Sequence, residues 1–401
     1  MSVRSAIVLA AGEGKRLRPL TEHRPKPMLP AATKPILEHV FDALIAAGVT
    51  DITVVVGYGR NRVQSHFGST YRDVPLTYVI QEKQLGSGHA LLAAEAEIEG
   101  PSLVVNGDQL VDRRIVEDVV AAHDADAAAT LGLIRHRDVA DYGGVILKRD
   151  GADGSSRRVT EIVENPRDDR SYQLNAGVYA LEARAFDAVR AASSRPGEHT
   201  LVDGLAALID GDVGTVQGVV SDGIWIDATY PWDLLAVADA LLEDTADGIV
   251  ERHVGSSARI HEDATVREPV VVAEDCVVGP GAVIGPNVCL GENVTVDSNA
   301  VVEHSVVDAD TRIGPNATLV DCVTGRGVRV GPGSTVVGGP GDVHVRDRIH
   351  RDEDLGALLA DRVRDEGGVT YAPGTVVGSS AVLGTGVTVC GSIDAETEVR
   401  N

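Results

Sequence analysis

The chain has 401 residues, of which 60 are acidic and 36 basic, giving a formal net charge of −24. This length predicts two domains, each able to bury a core without disulfides. The acid excess argues against nucleic acid or an anionic membrane as a partner. No apolar run reaches the roughly 20 residues that span a bilayer, and the opening MSVRSAIVLAAGEG runs into a glycine turn where a leader would need a cleavage site, so a cytoplasmic protein is expected. Only five of the basic residues are lysine; with the acid excess, this predicts a halophilic surface suited to a salt-rich cytosol. The four cysteines lack C-x-x-C or His spacing and are expected as isolated reduced thiols used for packing.

In chain order, the first half alternates strand-like and helix-like runs. Ser5 to Ala10 predicts a strand, Pro35 to Ala47 an amphipathic helix, and Ile52 to Val56 and Leu76 to Ile80 strands. Gly88 to Glu97 predicts a helix and Ser102 to Val105 a strand ending in NGD. Such alternation implies an α/β fold, a Rossmann-like doubly wound and mainly parallel sheet, with ligands at the carboxyl ends of its strands. This domain is expected over 1–243.

From about residue 254 the period changes to six. Val254, Ile260, Val266, Val272, Val278, Ile284, Leu290, Val296 and Val302 stand six apart, with turn residues such as PNV, ENV and SNA between them. The count slips by one to Val307, continues at Ile313 and Leu319, and returns at Tyr371, Val377, Leu383 and Val389. One branched residue per short strand describes a solenoid whose coils bury an apolar row against one another. The period resembles the hexapeptide repeat of left-handed parallel β-helices, which supplies the expected handedness for residues 254–401. Between Gly338 and Gly374 the repeat breaks. Leu355, Leu358, Leu359 and Val363 fall on one helical face, so a helical excursion at about 340–370 is expected.

The stretch LAAGEGKRLRPLTEHRPKPMLP, Leu9 to Pro30, carries five basic and two acidic side chains. The first 34 residues balance at +5 and the remaining 367 at −29, which predicts a local anion site. Gly12-Glu13-Gly14 lets backbone N–H groups approach a phosphate. A dinucleotide fingerprint would need glycine where Leu17 stands, and a Walker loop would need Ser or Thr where Arg16 stands.

What remains, G-x-G-x-R-L-x-P-L-T-x-x-x-P-K-P-x-L-P, resembles the signature of the sugar-1-phosphate nucleotidylyltransferases. It is matched by Gly12, Gly14, Arg16, Leu17, Pro19, Leu20, Thr21, Pro25, Lys26, Pro27, Leu29 and Pro30. The resemblance implies that Leu9, Ala11, Gly12 and Gly14 hold a nucleotide, with Arg16 and Lys26 as the catalytic cations at its phosphates. Gln81 to Ala90, QEKQLGSGHA, is similar to that family's base-recognition loop. It implies Gln81 on a pyrimidine edge and Gly86 and Ser87 along base and ribose. Asp108 in NGD and Asp227 in WID match its two Mg²⁺ ligands. Tyr142-Gly143-Gly144-Val145, Glu164 and Asn175-Ala176-Gly177 match its sugar-phosphate contacts, although Asn165 stands where many relatives have a lysine.

The implied partners are an NTP, UTP or dTTP in preference, and a hexose or hexosamine 1-phosphate. The implied assembly is a homo-oligomer, a trimer formed through the β-helix. Three alternatives accompany this reading: mannose-1-phosphate guanylyl transfer, a bifunctional enzyme whose solenoid adds acetyl transfer with His304 as base, and a non-catalytic regulatory subunit. Arg18 and Arg24 are expected as solvated charges, and His89 as a helix-start residue packing beside the base loop.

Overall fold

The computed structural model describes residues 3–98, 100–136, 139–140, 142–150, 156–192, 198–211, 214–243 and 254–400. The chain forms two compact units. One comprises Met1–Glu13, Pro25–Met28 and Ile36–Ile226; the other comprises Gly14–Arg24, Leu29–Pro35 and Asp227–Asn401. The segments of the glycine-arginine signature therefore divide between them.

The first unit is built on a ten-stranded sheet. Ser5–Ala10 lies in it between Asp51–Val56 and Ser102–Asn106, parallel to both, and Val74–Ile80 continues the parallel run beyond Asp51–Val56. These strands are apolar throughout because both faces are covered. Val8, Val54 and Val56 face a core shared with Leu37, Phe41, Ile115 and Val119 of the helices Ile36–Ala46 and Arg113–Ala122. Ile7, Leu9 and Val55 face the opposite core with Leu91, Phe186 and Leu205 of the helices Ser87–Ala93, Ala183–Ala191 and Leu201–Asp210. Asp112 accepts a hydrogen bond from Arg114 N, and Thr200 from Asp203 N, each capping the helix it precedes.

Beyond Ser102–Asn106 the sheet is mixed. Gln173–Leu181 runs antiparallel to Ser102–Asn106 and to Ala127–Ile134, and Gly143–Asp150 pairs antiparallel with Ser156–Glu164. The parallel arrangement thus belongs to the first four long strands, and the later ones join mostly antiparallel. From Ser5–Ala10 the chain adds Asp51–Val56 and Val74–Ile80 on one side, then crosses to Ser102–Asn106 on the other. That reversal leaves a crevice at the carboxyl ends of Ser5–Ala10 and Ser102–Asn106.

The second unit is a β-helix of three stacked parallel sheets with eight, seven and seven strands. Ile260 pairs with Val278 and Val278 with Val296, a coil of three six-residue rungs. Val278, Ile284, Leu290, Val296 and Val302 are all at most 2% exposed, so the six-residue row is the core. Asn287, Asn293, Asn299 and Asn316 turn the corners with φ of 56 to 59°; Asn tolerates this region by bonding its own backbone. Val254 and Val266 in the first coil are exposed. The one-residue slip is the shortened coil that pairs Val296 with Ile313.

The expected helical excursion is corrected. Gly341–Val345 and Arg348–Glu353 form an antiparallel hairpin, and Leu358 and Leu359 are already back in the solenoid, paired with Val323 and Thr324. Leu355 and Val363 are buried beside the coils. The hairpin packs His350 against the stacked rings of Tyr230 and Trp232, at 4.6 and 5.1 Å. Of the cysteines, Cys276, Cys289 and Cys322 are buried and Cys390 is exposed; all four are free thiols. Among the described residues, no helix is long and apolar enough to cross a membrane.

Candidate active site

In the first unit, the carboxyl end of Ser5–Ala10 continues into Ala11, which is buried, and Gly12, which is exposed. The adjacent strand is tied to it where Gly107 N donates to Leu9 O at 2.9 Å. Asp108 therefore leaves the sheet next to Leu9. Its Oδ2 lies 3.3 Å from Lys26 Nζ, the carboxylate 37% exposed and the lysine side chain 9% exposed. Pro25 and Pro27 flank Lys26 in a short 3₁₀ turn, which holds a long side chain at one depth. The structure thus gathers Leu9, Ala11, Asp108 and Lys26.

A second group forms at the end of Val74–Ile80. Gln81 is 5% exposed. Its Nε2 donates to Gly86 O at 3.0 Å and to His89 Nδ1 at 3.0 Å. The carbonyl of Gly86 accepts only, so the amide nitrogen must face it, and both of that nitrogen's hydrogens are then committed. Among the described residues nothing donates to Gln81 Oε1, which is left as an acceptor. Gly86 is required here: its φ is +107°, and a Cβ would meet His199 O at 2.5 Å. The loop is fixed by Gly88 N and His89 N donating to His199 O, and by His199 N donating to Leu85 O. Ser87 Oγ accepts from Leu201 N at 2.9 Å, so its hydroxyl also supports the next helix. His89 and His199 are the residues sequence reasoning missed in these roles. The spacing of Gln81 and His89 was visible, but His199 lies over a hundred residues away in sequence.

A third group assembles the sugar-phosphate candidates. Gly143 and Glu164 are register partners, and a Cβ on Gly143 would touch the Asn175 side chain at 3.2 Å, so Gly143, Glu164 and Asn175 converge. Asn175 Nδ2 donates to Tyr179 OH at 2.8 Å; burial pushes the Tyr179 hydroxyl up to about 12, keeping it neutral. A register shift between Asn175 and Tyr179 marks a bulge. Within it Gly177 takes φ +68°, where any side chain is strained, and a Cβ there would push on Asn106 Nδ2 and Gln109 Oε1. Trp225 Nε1 donates to Ala176 O at 3.0 Å, and Tyr142 meets the Trp225 ring edge-on at 5.2 Å.

The remaining candidates belong to the second unit. Gly14 precedes the 3₁₀ turn Lys15–Leu17, in which Leu17 is buried and Arg16 exposed. The turn is closed by Leu17 N and Thr21 Oγ1, both donating to Gly14 O. Asp227 is half-buried and its Oδ2 accepts from Thr229 Oγ1 at 3.0 Å. Asp233 accepts from Thr229 N and Tyr230 N, holding the start of the helix Asp233–Glu243. The expectation for Arg24 is overturned. It is 6% exposed, its Nη1 lies 2.5 Å from Asp308 Oδ2, and its Nη2 lies 3.6 Å from Asp361 Oδ1.

Residues 5–244 match the model of the nucleotidyl transferase family, and residues 266–394 match one described as the GMPPB C-terminal domain. A bifunctional protein GlmU of Methanococcus maripaludis is 34% identical over 261 residues, covering 64% of this chain and 59% of that protein. The chain thus spans less than two thirds of the length of such relatives. The UTP–glucose-1-phosphate uridylyltransferase AglF of Haloferax volcanii is 35% identical over 243 residues, covering 60% of this chain and 97% of that protein. A solved UDP-glucose pyrophosphorylase from Acinetobacter baumannii superposes with a TM-score of 0.53 at 23% identity, over 62% of this chain and 96% of that one; this likeness is one of fold.

Proposed function

The chain belongs to the nucleotidyl transferase family, and from that premise we propose that it joins a nucleoside triphosphate to a hexose or hexosamine 1-phosphate, giving a nucleotide sugar and pyrophosphate. The observation that carries this reading is the pairing of buried Lys26 with Asp108 at the crevice where the strand order reverses. A cation and a carboxylate there suit the polyphosphate of a nucleotide.

In the proposed reaction a phosphate oxygen of the sugar 1-phosphate attacks the α-phosphorus in line. The bond from that phosphorus to the α–β bridging oxygen breaks, and pyrophosphate leaves with the electron pair. No protein nucleophile is needed, so catalysis is positioning and charge stabilisation. In the first unit Lys26 would meet the growing negative charge, while Asn175, Glu164 and the Cβ-free Gly143 would receive the sugar phosphate; Arg16, in the second unit, is the other cation that the resemblance implies. The two metal candidates, Asp108 in the first unit and Asp227 in the second, each offer carboxylate oxygen only. Among the described residues no group of three or more His, Cys, Asp or Glu is gathered. Mg²⁺ fits such a set, because it keeps water and phosphate oxygens as ligands; when bound it would neutralise phosphate charge.

UTP or dTTP is the favoured donor. Gln81 Oε1 is left as an acceptor, and the N3–H of uracil or thymine donates to it, whereas cytosine N3 and adenine N1 are acceptors and would oppose it. The likeness to a protein named for uridylyl transfer supports the same choice. Guanylyl transfer to mannose 1-phosphate is the second reading, favoured by Asn175-Ala176-Gly177 and compatible with guanine N1–H. Acetyl transfer with His304 as base is disfavoured: both ring nitrogens donate to carboxylates, Asp321 and Asp239, leaving no lone pair for a proton.

Pyrophosphate release should be followed with Mg²⁺, each NTP in turn and a panel of sugar 1-phosphates in molar KCl. Release is expected to require one sugar and to fall on the order of 100-fold or more in Asp108→Ala. Silence across the panel would transfer the reading to a non-catalytic regulatory subunit.

A further inference from the structure

The signature loop carries its own attachment to the solenoid. Arg24 inserts its guanidinium between Asp308 and Asp361, and Glu22 Oε2 accepts from Ser379 Oγ at 3.1 Å. These three solenoid residues occupy equivalent corners. Asp308 follows Ser305–Val307, Asp361 follows Ala357–Leu359, and Ser379 follows Thr375–Val377, strands of a single sheet with Cys322–Thr324 between the first two. At roughly 4.8 Å per strand, the loop therefore lies along about 14 Å of one edge. All of these residues belong to one compact unit.

The attachment at Arg24 is electrostatic. Asp308 Oδ2 touches Arg24 Nη1, but its geometry is out of line for a hydrogen bond, and Arg24 Nε and Nη2 are buried without hydrogen-bond partners among the described residues. Two carboxylates flank one buried cation. Removing Arg24 leaves both without a counter-charge in a site closed to water, and removing Asp308 takes away the nearer of the two partners of Arg24. The same loop holds Gly14 and Arg16 through the hydrogen bonds of Leu17 N and Thr21 Oγ1 to Gly14 O.

We propose that Arg24 is a positioning residue: seated between Asp308 and Asp361, it fixes the Gly14–Arg24 loop on the β-helix, making the solenoid a working part of triphosphate binding. The triphosphate clause rests on the function proposed above, while the attachment stands independently of it. On this account the β-helix contributes to the reaction without chemistry of its own. A change in the coils at Asp308 or Asp361 is transmitted to Arg16 through the loop.

The test uses the full chain with Arg24→Met, Arg24→Lys and Asp308→Asn, each checked for an intact β-helix by circular dichroism. Hydrogen exchange of the 14–24 peptide reads the attachment; separate KM values for NTP and sugar 1-phosphate read its consequence. Arg24→Met and Asp308→Asn are expected to speed exchange of the Leu17 and Leu20 amides. They should also raise the NTP KM on the order of 10- to 100-fold, with the sugar-phosphate KM within about twofold. Arg24→Lys should recover much of both effects. Unchanged exchange would overturn the attachment, and a lower kcat at unchanged NTP KM would overturn the positioning role. If wild type turns over no substrate pair, the reaction reading fails, and faster exchange alone still upholds the attachment.

Discussion

At the scale of single residues, the base selection proposed for Gln81 depends on how one amide is oriented. Gln81 was legible from its motif, but its orientation follows from Gly86 O and His89 Nδ1, which take both hydrogens of Nε2. His89→Leu removes one of these acceptors while leaving the charge of the site unchanged. The preference for UTP over CTP, measured by competition, should fall about 3- to 10-fold, the worth of one neutral hydrogen bond. An unchanged ratio would refute the role given to His89. Arg24 shows what a residue list leaves out. In sequence it is one of several arginines in a basic stretch, and its burial follows from Asp308 and Asp361, which are more than 280 positions away. No local pattern encodes that pairing.

Among elements, the solenoid and the helix Asp233–Glu243 are joined by a charged clamp. His304 donates from Nδ1 to Asp321 at 2.5 Å and from Nε2 to Asp239 at 3.0 Å. The hydrogen bonds to Asp239 and Asp321 push His304 up to about 10 against its usual 6.5, burial opposing them, and Asp321 is correspondingly lowered by His304. Because the folded value lies above the unfolded one, this stabilisation is complete below about pH 6.5 and is lost as pH rises through about 10. His304→Asn should therefore cost about 1.5–3 kcal/mol near neutral pH, with the gap to wild type narrowing toward pH 10. Chemical denaturation across that range checks it; a gap independent of pH would refute the charged clamp. The hairpin within the solenoid is the counterexample to easy reading. Leu355, Leu358, Leu359 and Val363 match a helical face, yet they belong to returning coils, because so short an apolar run satisfies either period.

For the whole molecule, charge is the property that composition states directly. A net −24 repels itself in dilute buffer, and the screening length falls from about 10 Å at 0.1 M salt to about 3 Å at 1 M. The Tm is expected to rise by several degrees between about 0.1 and about 1 M KCl; a flat or falling Tm would refute adaptation to salt. The sequence by itself determined the two architectures, since a strand buried on both faces imposes a short continuous apolar run and a β-helix rung a repeat of six, local patterns that survive any packing. It also carried the signature, base-loop and metal-candidate residues as a resemblance, because each motif is a local run of residue types at fixed spacing. Only the tertiary structure decided that Gly14–Arg24 and Leu29–Pro35 belong to the solenoid's unit, that His89 orients Gln81, and that Arg24 is buried. Each of these depends on which distant carboxylate or carbonyl meets a given donor, and that is set by the stacking of coils and strands.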